Sequence, residues 1–237
     1  MRALRALHMQ PHHILTHTLT KRTFLNSATL PSLGCAEVIT IPLLTDNYCY
    51  LLIDRHTRNA AIVDPGEATP VIRTLKKLQK EKKINITNIL CTHKHYDHVG
   101  GNIEIKREFP QIEVIGTGYE SIPSVDREVK HNDIIKIGSL NVQTLFTPCH
   151  TSGHVCFYVN PLATEDDNVD DSACTEAMSS HRNHKSLGAP ILFAGDTLFA
   201  GGCGRFFEGT GKYELLMFNI LIGEYDTTYI YFILLII

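Results

Sequence analysis

Thr92-His93-Lys94-His95-Tyr96-Asp97-His98, followed by Val99-Gly100-Gly101-Asn102, is the stretch on which the fold turns. Its three imidazoles and one carboxylate fall within six residues, and each carries a polar atom that needs a partner, so the run suits neither a dry core nor an ordinary surface loop. Nitrogen and oxygen donors at this density suit a borderline divalent cation such as zinc. Just upstream, Ile84-Asn85-Ile86-Thr87-Asn88-Ile89-Leu90-Cys91 reads as a short buried strand, so the donors stand where a rigid element ends. His93 and His95, two residues apart, project to one side of an extended loop, whereas Asp97 and His98 fall beyond the turn. One loop thereby begins two metal sites. The glycine pair lets the backbone turn tightly into a helix predicted over Asn102–Glu108.

Working outward, the residues before this loop alternate in short runs that predict strands at Val38–Pro42, Asn47–Asp54 and Ala60–Gly66. Asp64-Pro65-Gly66 stops the third run with turn chemistry. Pro70–Lys82, apolar at Val71, Ile72, Leu75 and Leu78, predicts an amphipathic helix whose lysine-rich outer face is solvated. After the loop come predicted strands at Val114–Gly116, Ile134–Gly138 and Leu140–Leu145, then Thr147-Pro148-Cys149-His150-Thr151-Ser152-Gly153-His154. His150 again follows a strand and can converge with His93 and His95, a place for which His154 competes. Val155–Val159 predicts a further strand, with Leu192–Ala194 as its partner. Gly195-Asp196-Thr197-Leu198-Phe199 then sets a carboxylate straight after a strand, where it can bridge two metals.

Between those last strands, residues 164–188 are acidic, Ser-rich and without periodicity, and read as an enlarged mobile hairpin loop. Asp166, Asp167, Asp170 and Asp171 lack the ordered spacing of a calcium loop, and His181 and His184 go with the solvated segment. Residues 1–34 carry Arg2, Arg5, Lys21 and Arg22 with no acid before Glu37, the profile of an organelle transit peptide or a disordered extension. A formal net charge of -3 over 237 residues offers nucleic acid no basic stripe. The seven cysteines are scattered and form no C-x-x-C pair, which fits a reducing compartment. The expected location is cytoplasmic or mitochondrial.

The T-H-K-H-Y-D-H run resembles the metal-binding signature of the metallo-β-lactamase superfamily. That resemblance implies an α+β fold, an αββα sandwich over residues 35–231, with metals at one edge between the two sheets. T-P-C-H-T-S-G-H, G-D-T-L-F, Thr45-Asp46-Asn47-Tyr48-Cys49-Tyr50-Leu51 and Ala200-Gly201-Gly202-Cys203-Gly204-Arg205-Phe206-Phe207-Glu208-Gly209-Thr210 extend it. From Val38 to Tyr231 these segments resemble the glyoxalase II family. The resemblance implies two divalent metals, zinc foremost with iron or manganese as alternatives. His93, His95 and His150 would hold the first, Asp97 and His98 the second, and Asp196 would lie between them, while His154 takes a structural role. It implies a monomeric thioester hydrolase of S-D-lactoylglutathione with no nucleic-acid or membrane partner. Hydroxide activated at the Asp97 and His98 side would release D-lactate and glutathione, and Arg205, Phe206 and Phe207 would contact the substrate.

Two departures from the family pattern bear on activity. Phe207 stands where family members carry tyrosine. The family's C-G-H-E-Y segment, with a seventh ligand, is replaced by Phe232–Ile237, and its C-terminal helical domain has no counterpart. The expectation is a truncated or mis-spliced form whose apolar tail, 232–237, falls short of the roughly 20 residues a membrane span needs. Its second metal would be held less firmly and its hydrolysis impaired. The alternatives are a mononuclear-iron persulfide dioxygenase of the same superfamily, using His93, His150 and Asp196, or a non-catalytic product.

Overall fold

The structure, a computed structural model, describes residues 34–159, 190–199, 202–209 and 231–233. The leader up to residue 33, the acidic loop 164–188 and residues 234–237 of the tail lie outside the described residues.

Six strands form the first sheet: β1 (Ala36–Leu43), β2 (Asn47–Asp54), β3 (Asn59–Val63), β4 (Asn85–Leu90), β5 (Glu113–Thr117) and β6 (Arg127–Val129), in that spatial order. The first three are joined antiparallel by short turns, whereas β3 to β6 run parallel. Parallel neighbours need a crossover, and α1 (Ala68–Lys82) supplies it between β3 and β4. Between β4 and β5 the chain passes through the short helix α2 (Tyr96–Val99) and α3 (Asn102–Glu108). The second sheet comprises β7 (Ile134–Ile137), β8 (Leu140–Phe146), β9 (Val155–Val159), β10 (Ile191–Phe193) and β11 (Tyr231–Ile233). All of its pairings are antiparallel except β10 with β11.

The period of two along β2 sorts its side chains between two cores. Leu51 and Ile53 join Val71, Leu75 and Leu78 of α1 and Ile105 of α3 on the helical face. Tyr50 and Leu52 turn the other way and join Phe157, Phe193, Val142 and Ile137 of the second sheet. A helix layer, a sheet and a second sheet are therefore stacked among the described residues. Because the first sheet is covered on both faces, β2 and β3 read as nearly unbroken apolar runs.

Most predicted elements lie within a residue or two of their observed bounds. Helix α1 begins at Ala68, ahead of the predicted Pro70, because a proline in the first turn lacks only an N–H that has no helical acceptor. Strand β6 has no sequence signal, since Arg127-Glu128-Val129 is too short and too charged to show a period, and the single helical turn α2 reads from sequence as part of the loop. Phe232 and Ile233, assigned from sequence to the tail, stand opposite Leu192 and Phe193 in the register of β11 with β10.

One buried carboxylate joins the two sheets away from the donor-bearing edge. Asp54, at the end of β2 and fully buried, accepts from Ser139 N at 2.7 Å, Ser139 Oγ at 3.0 Å, Thr57 Oγ1 at 2.6 Å and His56 N at 2.9 Å. Burial alone would raise its pKa, but these hydrogen bonds outweigh it and hold the group below its ordinary value. Asp54→Asn is expected to lower the unfolding free energy by about 1–3 kcal/mol at neutral pH, read from urea midpoints. A depressed folded-state pKa gives stability that is full above the unfolded value of about 3.9 and is lost as pH falls through the lower folded value. The gap between wild type and variant should therefore close on acidification below about pH 4.

Candidate metal centre

The parallel strands explain where the donors collect. Strands β3, β4 and β5 share a direction, so the residues after their carboxyl ends meet at one edge, the place where such sheets bind ligands. Asp64 follows β3 and the Thr92–His98 loop follows β4. Strands β8 and β10 both run antiparallel to β9, so His150 and Asp196 follow strands that end at a common edge of the second sheet. The two edges are sewn together where Val155 N donates to Thr92 O at 2.9 Å.

His93 Nε2 lies 3.0 Å from His95 Nδ1, which lies 2.9 Å from His150 Nε2. His150 Nε2 in turn is 3.1 Å from Asp196 Oδ2. One donor atom from each of these four residues falls within 4.8 Å of every other. On the far side of Asp196, Oδ1 is 3.0 Å from His98 Nε2, which is 3.4 Å from Asp97 Oδ2. The six residues singled out from sequence are thus brought together, with Asp196 between the two halves.

The arrangement fits a cation better than a hydrogen-bond network. His150 Nδ1 faces Arg205 O at 2.7 Å, and a carbonyl can only accept, so the proton is on Nδ1 and Nε2 is bare. That bare nitrogen lies 3.1 Å from Asp196 Oδ2, and two acceptors so close repel unless something positive lies between them; ligands about 2.0–2.1 Å from zinc would themselves be about 3.3 Å apart. His98 Nε2 and Asp196 Oδ1 are buried without hydrogen-bond geometry to any group. Burial, with the imidazoles of His98, His154, His150 and His95 around it, holds His93 well below its ordinary pKa and so neutral. His98 goes the other way. Burial opposes its charge, but the carboxylates of Asp196, Asp64 and Asp97 raise it well above the usual value. A bound cation would answer the same carboxylates.

His154 takes the structural part. It is fully buried, its Nε2 accepts from Asp196 N at 3.2 Å, and its Nδ1 faces the hydroxyls of Thr147 and Thr197, each at 3.1 Å. Both ring nitrogens are occupied and the residue anchors the Asp196 backbone. That backbone turns sharply at Gly195, whose φ is +49°, and a Cβ there would meet Thr92 Oγ1 at 2.6 Å and His154 Nε2 at 2.9 Å.

Four supporting residues had no role assigned from sequence. Asp64 reads as a turn residue, yet its carboxylate is 3.0 Å from His98 Nδ1 and accepts from Thr92. The pattern that marked Asp196, a carboxylate straight after a buried strand, is present at Asp64 too. Asn47 donates to Asp97 O at 2.9 Å and to Asp97 Oδ2 at 3.3 Å. Glu120 accepts from Lys94 N at 2.6 Å and Gly153 N at 3.1 Å, tying the first donor loop to the second. Glu208 does likewise through Lys94 Nζ at 2.6 Å and Ser152 N at 2.7 Å, and Lys94 foremost pulls its pKa down to about 2. Glu120 and Glu208 carry no local signal, because their partners are remote in sequence.

The predicted substrate-contacting residues border the cluster. Gly204 N donates to Asp196 O at 2.8 Å, and a Cβ on Gly204 would come within 2.7 Å of His150 Nδ1, so only glycine lets this loop lie against the donors. Phe207 is exposed, with its ring 5.8 Å from that of His95 and 5.3 Å from that of His150. The Arg205 guanidinium lies 5.4 Å over the Phe207 ring, and Phe206 is also exposed. An aromatic wall and a cation therefore open to solvent beside the donor atoms.

Residues 44–161 match the family model of the metallo-β-lactamase superfamily. Over 191 residues the chain is 36% identical to a probable hydroxyacylglutathione hydrolase of Schizosaccharomyces pombe, a match covering 79% of this chain and 64% of that relative. Over 177 residues it is 38% identical to the cytoplasmic hydroxyacylglutathione hydrolase of Arabidopsis thaliana, covering 74% and 58%. The chain thus spans less than two thirds of the length of these relatives. A metallo-β-lactamase structure from Staphylococcus aureus superposes with a TM-score of 0.61 at 21% identity, over 85% of this chain and 56% of that one. Paired sheets, donors gathered at their shared edge and the sequence match agree, and this chain belongs to the metallo-β-lactamase superfamily, with hydroxyacylglutathione hydrolases among its relatives.

Proposed function

We propose that this chain hydrolyses the thioester of S-D-lactoylglutathione, releasing D-lactate and glutathione. The observation that carries the reading is the convergence of His93, His95, His150 and Asp196 donor atoms within 4.8 Å, beside a loop that presents Arg205 and Phe207. Resemblance to relatives named hydroxyacylglutathione hydrolase supports the substrate class.

His93, His95, His150 and Asp196 would hold a first divalent metal, and Asp97, His98 and the second oxygen of Asp196 another. Zinc suits a nitrogen-rich set of this kind. A metal bound here supplies Lewis acidity and lowers the pKa of a coordinated water from about 15.7 to about 7. The protein's own residues do the rest. Asp64 and the Arg205 carbonyl hold His98 and His150 with their Nε2 atoms inward. Asn47 keeps the half-exposed Asp97 turned toward His98. Arg205 offers its charge to a glutathione carboxylate, and the Phe206 and Phe207 rings shield that side of the thioester from water. No serine or cysteine nucleophile is called for. The first site, with three nitrogens, would bind zinc more tightly than the second, which has one nitrogen and two carboxylates among the described residues.

The test is zinc titration of the purified chain with thioester hydrolysis followed in parallel. Hydrolysis should vanish with a chelator and return with zinc. Zinc at 1,000 times its dissociation constant should stabilise the fold by about 4 kcal/mol, seen as a raised melting temperature. A chain that takes up zinc yet hydrolyses no faster than its metal-free form would sink the proposal. His93, His150 and Asp196 also make a two-histidine, one-carboxylate set of the kind that holds iron in oxygenases. Oxygen uptake with glutathione persulfide and a single bound iron would favour that reading, against which His95 stands as a fourth donor.

A further inference from the structure

Thr92 offers no donor toward the cluster, yet its side chain touches both halves of the support behind it. Its Oγ1 lies 2.6 Å from Asp64 Oδ2 and 3.1 Å from His93 Nδ1. Asp64 also accepts from the Thr92 backbone N–H at 2.8 Å and faces His98 Nδ1 at 3.0 Å. Thr92 and His93 are fully buried, His98 is 1% exposed and Asp64 4%, and Gly195 closes over the hydroxyl. Water has no access to replace any of these contacts.

A hydroxyl has a single proton to give. At 2.6 Å from a carboxylate oxygen, the Thr92 proton lies on the Asp64 side, because the reverse order would set two oxygen lone pairs against each other. His93 Nδ1 must then donate to Thr92 Oγ1, which leaves His93 Nε2 bare toward His95. The same carboxylate takes the Nδ1 proton of His98, so that it is this ring's Nε2 that faces Asp97 and Asp196.

We propose that Thr92 is a positioning residue that joins the two halves of the centre. One buried chain, His93 Nδ1–H to Thr92 Oγ1–H to Asp64 and back from His98 Nδ1–H, decides which nitrogen of an imidazole on each side faces the cation. The consequence for affinity rests on the metal reading given above. The order of protons does not.

Thr92→Val keeps the volume and deletes the hydroxyl. His93 Nδ1–H loses its acceptor, and Asp64 loses a donor that fixes the orientation of the carboxylate behind His98, so the ligands on both sides are held less firmly. Loss of such an outer partner typically costs about 10–100-fold in metal affinity. Competition with a zinc chelator should show a fall of that size at both sites in T92V, whereas Thr92→Ser, which keeps the hydroxyl and drops the methyl, should bind as wild type does. T92V with both affinities unchanged, or with a loss confined to one site, overturns the proposal. So does T92S falling as far as T92V, since that would mark a packing role. If T92V fails to fold, nitrogen-15 NMR of the wild-type chain still decides. The metal-free protein should carry the His93 proton on Nδ1, and a proton on Nε2 with Nδ1 bare would refute the relay. A wild-type chain that takes up no zinc defeats the metal reading alone, because the His93 tautomer is read without it.

Discussion

Asp196→Ala should abolish thioester hydrolysis, by on the order of 1,000-fold or more, and reduce zinc uptake at both sites. Its two carboxylate oxygens point separately at His150 Nε2, 3.1 Å away, and at His98 Nε2, 3.0 Å away. Outer partners of metal ligands are worth about 10–100-fold, and a group that stands between two sites exceeds them. Zinc content and initial rates on the purified variant check the expectation. A metal-free melt within a few degrees of wild type would show that the loss is one of chemistry and not of folding. Retention of more than a tenth of the wild-type rate would remove Asp196 from the centre.

The largest expected loss of stability comes from the layer between the sheets. Phe157 is fully buried on β9, the strand flanked by β8 and β10, where it stands opposite Thr144 and Phe193. Phe157→Ala should cost about 3–5 kcal/mol, combining lost transfer energy with the cavity left behind. Against a total stability of about 5–15 kcal/mol that is a large share. The urea midpoint should fall accordingly with an unchanged slope. A loss below about 1.5 kcal/mol would mean that the two sheets do not pack as described. Because β9 begins at Val155, whose N–H holds Thr92, the variant should also loosen the first donor loop.

How much of this was legible in the chain depended on the range of the interaction concerned. Strands Asn47–Asp54 and Val155–Val159 and helix Asn102–Glu108 were predictable from short apolar runs and their flanking turn residues, since each is specified within its own few residues. His93, His95, Asp97 and His98 announced themselves by crowding donor atoms into one loop. His150 and Asp196 needed the further idea that strand ends gather at a sheet edge, and the antiparallel placing of β8 and β10 about β9 supplies that edge.

Sequence alone determined the types of donor and the strands that carry them, because those follow from local spacing and hydrophobic period, and its resemblance to a known family implied the layered class of the fold. Tertiary structure alone decided the distances between donors. It alone showed that Asp64 backs His98, and that Glu120 and Glu208 clamp loops drawn from separate parts of the chain. Those features depend on hydrogen bonds between residues 26 to 114 positions apart. No local pattern encodes such a bond. It exists only once the packed sheets hold both ends in place.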